Sequence, residues 1–212
     1  MNALLLVHRA RDTVFVMEKS DTDLQIKAEL RREALTRRDA LPTEMRKSAA
    51  EAIAARAFPI PVAPGMVVSG FMPLKSEISP LPLMRKLADA GARLALPVVA
   101  GRGKPLIMRS WRWGEPLVPG VWGIREPRPE APEVQPDILL VPLLAFDRSG
   151  HRIGYGAGYY DLTIAQLRAK KLIAAIGIAL AAQEVETVPR TAFDAQLDLV
   201  LTENETIDLR NA

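Results

Sequence analysis

A glycine-rich segment carries the most specific chemical signal in this sequence. Between residues 146 and 161, glycines stand at three alternate positions, Gly154, Gly156 and Gly158, ahead of a run of helix formers. Glycine lets a backbone turn sharply and approach a ligand with its amide groups facing inward. At the N-terminus of a helix, such amides form an anion site. The spacing is neither a dinucleotide fingerprint nor a Walker loop, and a plain turn between a strand and a helix has the same spacing.

Charged residues on both sides of these glycines favour a nucleotide site. Arg152 precedes the glycines and Asp161 follows them. A cation for phosphate and a carboxylate for Mg²⁺ are what a bound triphosphate requires. Asp161 also has a simpler explanation, since a carboxylate in the first turn of a helix stabilises the helix dipole without a metal. Asp194 and Asp198 flank the last apolar run, where they could join Asp161 at a metal or only keep a strand end soluble.

A basic pair near the start of the chain forms a second candidate site. Lys27 and Arg31 are four residues apart, which places them on one face of a predicted helix, where together they could grip a phosphate chain. A solvated basic face explains the same pair, and Arg32, Arg37 and Arg38 nearby support that explanation.

The segment 71–77, with the sequence Phe-Met-Pro-Leu-Lys-Ser-Glu, forms a third candidate site because it directly follows an apolar run. Open α/β sheets bind ligands just past the carboxyl ends of their strands. Glu77 could accept a hydrogen bond from a polar ring N–H there, and Met72 could supply an apolar wall. A surface carboxylate is the alternative for Glu77.

The composition excludes several kinds of catalytic site. The chain has no cysteine, so disulfides, cysteine-bound zinc, iron–sulfur clusters and thiol catalysis are ruled out. Its two histidines, His8 and His151, are far apart in sequence, which disfavours a histidine metal cage or a Ser-His-Asp triad. Any metal must be held by oxygen. The net charge of +3, with basic and acidic residues interspersed, suits a phosphate-bearing small molecule at least as well as nucleic acid.

The length and the N-terminal sequence set the expected organisation. A chain of 212 residues is long enough for one domain with a substantial core. We expect an N-terminal extension over residues 1–22 and a single catalytic α/β domain over residues 23–212. The apolar run 3–7 is too short for a membrane span and lacks the features of a signal peptide. We therefore expect a soluble, cytoplasmic monomer.

Apolar runs alternate with helix-forming stretches along the rest of the chain. We predict helices at 23–40, 43–57, 80–90 and 159–169, and strands at 66–71, 93–99, 107–113, 138–141, 172–178 and 197–202. Runs without period-two alternation, separated by helices, predict an α/β fold with a mainly parallel sheet and helices on both faces. The segment 114–136 is rich in Pro and Gly and predicts an irregular crossing loop. Trp111, Trp113 and Trp122 could line a flat pocket beside it.

Taken in order, these segments resemble the 5-formyltetrahydrofolate cyclo-ligase family. The resemblance covers residues 24–203. The segments that carry it are Lys27-Ala28-Glu29-Leu30-Arg31, 71–77, Ala95-Leu96-Pro97-Val98-Val99, 120–127, 142–161, Val188-Pro189 and 194–203. Several segments in the family's order are harder to obtain by chance than any one alone.

The resemblance implies a fold like that of the ribose-phosphate isomerase and CoA-transferase group. It implies that ATP, as co-substrate, and Mg²⁺ drive cyclisation of 5-formyltetrahydrofolate to 5,10-methenyltetrahydrofolate, with release of ADP and phosphate. The catalytic residues carried over by position are Lys27, Arg152 and Tyr159, and the Mg²⁺ ligands are Asp161 and Asp194. Those implied to contact ATP are Lys27, Ala28, Glu29, Leu30, Arg31, Arg152, Ile153, Gly154, Tyr155, Gly156, Ala157, Gly158, Tyr159 and Tyr160. Those implied to contact the folate are Met72, Glu77, Trp122, Tyr155, Gly156, Ala157, Gly158 and Tyr159.

The glycine segment departs from the family in one respect. Some members carry basic residues where this chain has Tyr155 and Ala157, so more of the cationic role falls on Lys27, Arg31 and Arg152.

Two other functions use part of the same pattern. A sugar-phosphate isomerase or transferase on a related sheet would use the glycines for a monophosphate and need no ATP. A nucleic-acid-binding module would need a continuous basic surface from Arg31, Arg32, Arg37 and Arg38. Neither explains the whole pattern, and we expect no nucleic-acid or membrane partner.

Overall fold

A seven-stranded sheet carries the fold in the computed structural model, which describes residues 24–210. The described residues form strands in this sheet and in two separate two-stranded sheets. In chain order the strands are β1 (Val67–Ser69), β2 (Arg93–Val98), β3 (Ile107–Ser110), β4 (Val118–Pro119), β5 (Arg125–Glu126), β6 (Ile138–Pro142), β7 (Ala145–Phe146), β8 (Arg152–Ile153), β9 (Ala174–Ile178), β10 (Leu199–Leu201) and β11 (Thr206–Asp208). The two-stranded sheets are β4-β5 and β7-β8. The helices are α1 (24–39), α2 (Thr43–Ala55), α3 (Leu81–Asp89) and α4 (Tyr159–Arg168). Two 3₁₀ turns span Val121–Gly123 and Ala181–Gln183.

The order of strands in the sheet is β11-β10-β9-β6-β1-β2-β3. The five strands from β10 to β2 are mutually parallel. The edge strands β3 and β11 are antiparallel to their neighbours. The predicted α/β class with a mainly parallel sheet is confirmed. None of the helices within residues 24–210 is long and apolar enough to cross a membrane.

Strand β6 shows why the apolar runs do not alternate. Ile138 and Leu140 point into a core cluster shared with α2 and α3. Leu139 and Val141 point into a second cluster shared with α4. Because both faces of the sheet are covered by helices, every position of the strand before its last residue is buried.

One strand of the main sheet and two separate two-stranded sheets were not predicted from the sequence. Strand β11 was not predicted, β4 and β5 pair within the segment predicted as irregular, and β7 and β8 pair within the segment leading to the glycines. Strands of two or three residues are too short for hydrophobic periodicity to reveal them. The predicted extension over residues 1–22 lies outside the residues that the structure describes.

The predicted pocket of three indoles is wrong. The rings of Trp111 and Trp113 lie 5.6 Å apart, and both line a cavity of about 980 Å³ beside the first residues of β2. Trp122 does not line that cavity, and its ring lies instead 6.1 Å from the ring of Tyr159. The β4–β5 hairpin separates them, because Trp122 lies in its connection, between Pro119 and Arg125.

Helix α1 lies at the carboxyl edge of the sheet. Its Ala34 packs with Leu144, Ala145, Ile153 and Val188, which belong to the β7–β8 hairpin and its surroundings. Two loops emerge near this edge: the 70–80 loop between β1 and α3, and the glycine loop, residues 154–158, between β8 and α4. The fold thus brings one face of α1 against the segments in which the sequence predicted ligand-binding residues.

Candidate active site

The basic face of α1 meets the glycine loop. The Nζ of Lys27 lies 2.6 Å from Oδ2 of Asp194, and the Lys27 side chain is 9% exposed. The Nε of Arg31 donates a hydrogen bond of 3.0 Å to the carbonyl oxygen of Gly154. The solvated basic face considered for this pair is therefore not what the fold forms: Arg31 is held by the glycine loop and Lys27 by Asp194.

Two of the three glycines adopt a conformation that other residues avoid. Gly156 has φ of 95° and Gly158 has φ of 70°, both in the left-handed region, whereas Gly154 lies outside it. A Cβ on Gly156 would lie 3.3 Å from the guanidinium carbon of Arg31. Gly158 forms the N-cap of α4 without a side-chain hydrogen bond. The amides of this helix N-terminus are thus available to an anion.

This difference between the glycines leads to a test of the loop's conformation. Replacement of Gly156 by alanine is expected to lower the free energy of unfolding by about 1–2 kcal/mol, because the left-handed conformation is unfavourable for alanine. Replacement of Gly154 by alanine is the matched control, since a Cβ there meets nothing within 4 Å, and it is expected to change stability by less than about 1 kcal/mol. Urea unfolding of both variants measures the difference. Equal effects of the two substitutions would contradict the loop conformation.

Arg152 and Asp161 are paired with each other. The Nη2 of Arg152 lies 2.8 Å from Oδ1 of Asp161, and the Arg152 side chain is only 5% exposed. Both groups also bond the backbone of Ala195, whose carbonyl accepts from Arg152 and whose amide donates to Asp161. This ion pair fixes the end of the glycine loop against the segment that carries Asp194.

Asp194 is held as a carboxylate by several donors. Its Oδ2 accepts hydrogen bonds from Lys27 and from the backbone amide and hydroxyl of Thr191. Burial disfavours the charged form, but the hydrogen bonds from Lys27 and Thr191 outweigh it and lower the pKa of Asp194. An ionised carboxylate at neutral pH is what a metal ligand requires.

The donor set fits Mg²⁺ when a phosphate shares the ion. Among residues 24–210, no hydrogen bond reaches Oδ2 of Asp161 or Oδ1 of Asp194, so each carboxylate keeps an oxygen for a cation. No group of three or more acidic or histidine side chains with metal-binding geometry occurs within the same residues. Mg²⁺ is commonly held by one or two carboxylates together with substrate phosphates and water.

Asp198 lies elsewhere. It forms an ion pair of 2.8 Å with Arg168 and accepts the amide of Ala175 at the start of β9. The first residues of parallel strands lie at the opposite edge of the sheet from the glycine loop. Asp198 therefore does not join Asp161. It also does more than keep a strand end soluble, because it bonds Arg168 and the Ala175 amide.

The 70–80 loop places Glu77 inward. The Leu74 amide donates a 2.7 Å hydrogen bond to Oε2 of Glu77, which closes a tight turn. Burial raises the pKa of Glu77. The Leu74 amide, the charge of Arg38 and the hydroxyl of Tyr155 each lower this pKa, but burial has the larger effect. The surface carboxylate considered for Glu77 is not observed. Met72, at the start of the same loop, is half-buried against the core cluster under α3.

Aromatic side chains lie beside the 70–80 loop and the glycine loop. The pKa of Tyr160 is raised, mainly by burial and also by the negative charge of Glu77. The effect of Glu77 means that Tyr160 lies near the 70–80 loop. Trp122 is 63% exposed and its ring is tilted by 51° against that of Tyr159. Trp122 and Lys75 have φ of 56° and 55°, and no other non-glycine residue among those described has a positive φ. Such strained backbone is typical of ligand sites.

Arg38 is a residue that sequence reasoning misassigned. It is 1% exposed, so the continuous basic surface that a nucleic-acid-binding module would need from it does not exist. Its guanidinium instead bonds Ser76 and Tyr155. The spacing contained a signal for this: eleven residues, about three helical turns, separate Lys27 from Arg38, which puts both on the face of α1 that carries Arg31.

Asp147 is a second residue that the sequence did not single out. Its carboxylate accepts hydrogen bonds from the amides of Ser149, His151 and Val188 and from the Ser149 hydroxyl. Burial opposes its ionisation, but these hydrogen bonds lower the pKa of Asp147. It shapes the turn between β7 and β8 that leads into the glycine loop.

Comparison with known proteins places the chain in a family. Residues 23–203 match the model of the 5-formyltetrahydrofolate cyclo-ligase family. The chain belongs to that family. The 5-formyltetrahydrofolate cyclo-ligase of Mycolicibacterium smegmatis is 34% identical over 184 residues, which cover 83% of this chain and 93% of the relative. The enzyme of Escherichia coli K12 is 33% identical over 175 residues, which cover 78% and 94%. The family membership predicted from the motifs is confirmed, and so is the prediction of an enzyme.

Solved structures of the cyclo-ligase family share the fold. The NMR structure of the Aquifex aeolicus 5,10-methenyltetrahydrofolate synthetase superposes with a TM-score of 0.74 at 31% identity, covering 88% of this chain and 94% of that one. The Mycoplasma pneumoniae synthetase superposes with a TM-score of 0.66 at 25% identity, covering 84% and 98%. The chain therefore has the cyclo-ligase fold along almost the whole length of these proteins.

Proposed function

We propose that this enzyme cyclises 5-formyltetrahydrofolate to 5,10-methenyltetrahydrofolate, with ATP and Mg²⁺, and releases ADP and phosphate. The observation that carries the proposal is the convergence at one edge of the sheet of the basic face of α1, the glycine loop and the 70–80 loop. The family supplies the reaction, because relatives with this architecture are named for it.

The nucleotide phosphates are assigned to the glycine loop and α1. The amides at the start of α4 face the phosphate chain, as anion sites at helix N-termini do. Lys27 and Arg31 add two cations, which are held by Asp194 and by the Gly154 carbonyl. Neutralisation of charge on a transferring phosphoryl group is the largest contribution that a site of this kind makes.

The metal is assigned to Asp161 and Asp194, through the oxygens that accept no hydrogen bond within the described chain. When bound, Mg²⁺ would neutralise negative charge on the phosphates. Arg152 holds the Asp161 carboxylate in place by their ion pair. Its donors are directed to protein groups, so we assign it the role of fixing the loop and the metal ligand relative to each other.

The folate is assigned to the 70–80 loop and the neighbouring rings. Glu77 accepts a hydrogen bond from a ring N–H of the pterin, and Met72 provides an apolar surface beside it. Tyr155 is 46% exposed, and Trp122 extends from the β4–β5 connection beside Tyr159. Exposed rings beside a half-buried carboxylate suit a flat heterocycle with polar edges.

The chemistry needs positioning more than it needs a reactive side chain. The formyl oxygen takes the γ-phosphoryl group, which forms an O–P bond and breaks the bond to ADP. The second nitrogen of the same substrate then attacks the activated carbon and loses its proton, and the C–O bond breaks as phosphate leaves with the formyl oxygen and that proton. No cysteine is present, and no step requires a covalent bond to the protein. The site contributes by orientation and charge neutralisation.

An assay of the purified protein tests the proposal. With 5-formyltetrahydrofolate, ATP and Mg²⁺, we expect the near-ultraviolet absorbance of the methenyl product to develop. Omission of ATP, or removal of the metal with a chelator, is expected to abolish the signal. A methenyl signal that is unchanged without nucleotide would contradict the proposed use of ATP. Absence of the signal with all three components present would contradict the proposal and favour an isomerase or transferase that uses the glycine loop for a monophosphate.

A further inference from the structure

Arg38 connects both ligand loops and has no role in the function proposed above. Its Nε donates a 3.0 Å hydrogen bond to the Ser76 hydroxyl in the 70–80 loop. Its Nη2 donates a 2.6 Å hydrogen bond to the Tyr155 hydroxyl in the glycine loop. Its Nη1 lies 3.4 Å from the Leu143 carbonyl oxygen just beyond β6. The buried, planar guanidinium group of Arg38 therefore holds two loops that are distant in sequence.

We propose that Arg38 is a positioning residue that couples the glycine loop to the 70–80 loop, so that nucleotide and folate each tighten the binding of the other. The proposal rests on the function proposed above, since it takes the two loops to hold those two ligands. A planar guanidinium suits this role because its donors keep a fixed geometry, which the single ammonium group of lysine does not provide.

The 70–80 loop depends on this contact for its shape. Ser76, besides accepting from Arg38, donates a hydrogen bond to Asp39 of α1. Its neighbour Lys75 has a strained φ of 55°, which persists only where surrounding contacts impose it. Glu77 follows directly, so the hydrogen bonds on Ser76 also set where the Glu77 carboxylate lies.

The glycine loop is tied to the same guanidinium group through Tyr155. This side chain is 46% exposed, yet its hydroxyl reaches the buried Arg38, whose guanidinium carbon lies 5.8 Å from the centre of the Tyr155 ring. A ligand that contacts the exposed ring is therefore connected to Arg38 through the hydroxyl of the same side chain. Since Arg38 also holds Ser76, ordering of one loop favours the ordered form of the other, and such coupling is reciprocal by thermodynamic necessity.

Calorimetric titration tests the coupling without turnover. ADP with Mg²⁺ is titrated into the protein with and without saturating 5-formyltetrahydrofolate, and the folate is then titrated with and without ADP and Mg²⁺. In the unmodified protein we expect each ligand to tighten the other by about tenfold. In Tyr155→Phe, which removes only the hydroxyl, and in Arg38→Lys, we expect the tightening to fall below about twofold, whatever happens to either affinity alone.

The controls separate coupling from stability and from the proposed function. Arg37→Lys changes an exposed neighbour on α1 and is expected to keep the tenfold tightening. The Tyr155 hydroxyl also acts on Glu77, so if Arg38→Lys fails to fold, Ser76→Ala, which removes the other hydroxyl that Arg38 bonds, is measured beside Tyr155→Phe and is expected to lose the tightening as well. Full tightening in Tyr155→Phe, or no tightening in the unmodified protein when both ligands bind, would overturn the coupling and leave the proposed function intact. Failure of both ligands to bind the unmodified protein would overturn the function, and the coupling with it.

Discussion

Replacement of Lys27 by methionine is expected to lower kcat/KM for ATP by about 10²–10³-fold, the cost of removing one electrostatic donor from an active site. Methionine preserves much of the length and apolar stem of lysine but carries no charge. The ammonium group is paired with Asp194, so its loss removes positive charge from the proposed phosphate site and leaves Asp194, among the described residues, with the donors of Thr191. Steady-state kinetics at varied ATP and saturating folate measure the effect.

A matched control exists on α2. Lys47 is 69% exposed and pairs with Glu44, so Lys47→Met makes the same substitution away from the site and is expected to leave kcat/KM within about twofold, as for an exposed pair. Urea unfolding of both variants checks that the fold is retained. A folded Lys27→Met enzyme with kcat/KM within threefold of the unmodified value would remove Lys27 from the phosphate site.

Replacement of Asp161 by asparagine is expected to lower kcat by about 10²-fold or more and to raise the Mg²⁺ concentration needed for half-maximal rate. Asparagine keeps the shape of the side chain and one oxygen acceptor, but it removes the charge that faces Arg152 and the proposed metal. Since Arg152 is buried, we also expect the free energy of unfolding to fall by about 1.5–3 kcal/mol, typical of a lost hydrogen bond between charged groups.

Two further measurements separate metal binding from the ion pair. A ligand that binds only the folded state raises the melting temperature, and it does so more the more tightly it binds, so the extra stabilisation by ADP that depends on Mg²⁺ should disappear in Asp161→Asn. Asp198→Asn is the matched control, because Asp198 also pairs with an arginine at 2.8 Å but lies at the other edge of the sheet. It is expected to lower stability while keeping the Mg²⁺-dependent stabilisation. Equal behaviour of the two variants would show that Asp161 acts only through Arg152.

Local patterns in the sequence were sufficient for most elements. Helix α3 ends at Asp89, just before Gly91, and α4 begins at Tyr159, directly after the last glycine of the loop, because caps and glycines act within a few residues of the chain. Unbroken apolar runs such as β6 revealed a sheet buried on both faces, since no polar face interrupts them. The β4–β5 and β7–β8 hairpins were missed because their strands have two residues each, too few to show a hydrophobic period.

In the candidate site, too, local sequence patterns identified some features and missed others. The types and spacing of residues in the sequence identified the glycine loop, the basic pair on α1 and Glu77, and the order of motifs identified the family. Pairings across long stretches of chain were not visible: Lys27 meets Asp194 across 167 residues and Arg38 meets Tyr155 across 117 residues. Arg38 itself looked like a solvated cation, because burial depends on what packs against a helix and not on the helix alone.

The sequence by itself determined the fold class, the family and which residue types are present for phosphate and folate chemistry. The tertiary structure alone decided which of those groups meet. It separated Asp198 from Asp161, divided the three tryptophans between two places and turned Arg38 inward to join two loops. The physical reason is range: helix periodicity, capping and glycine conformation act between near neighbours, whereas ion pairs and burial depend on distances that only the closed sheet and its packed helices set.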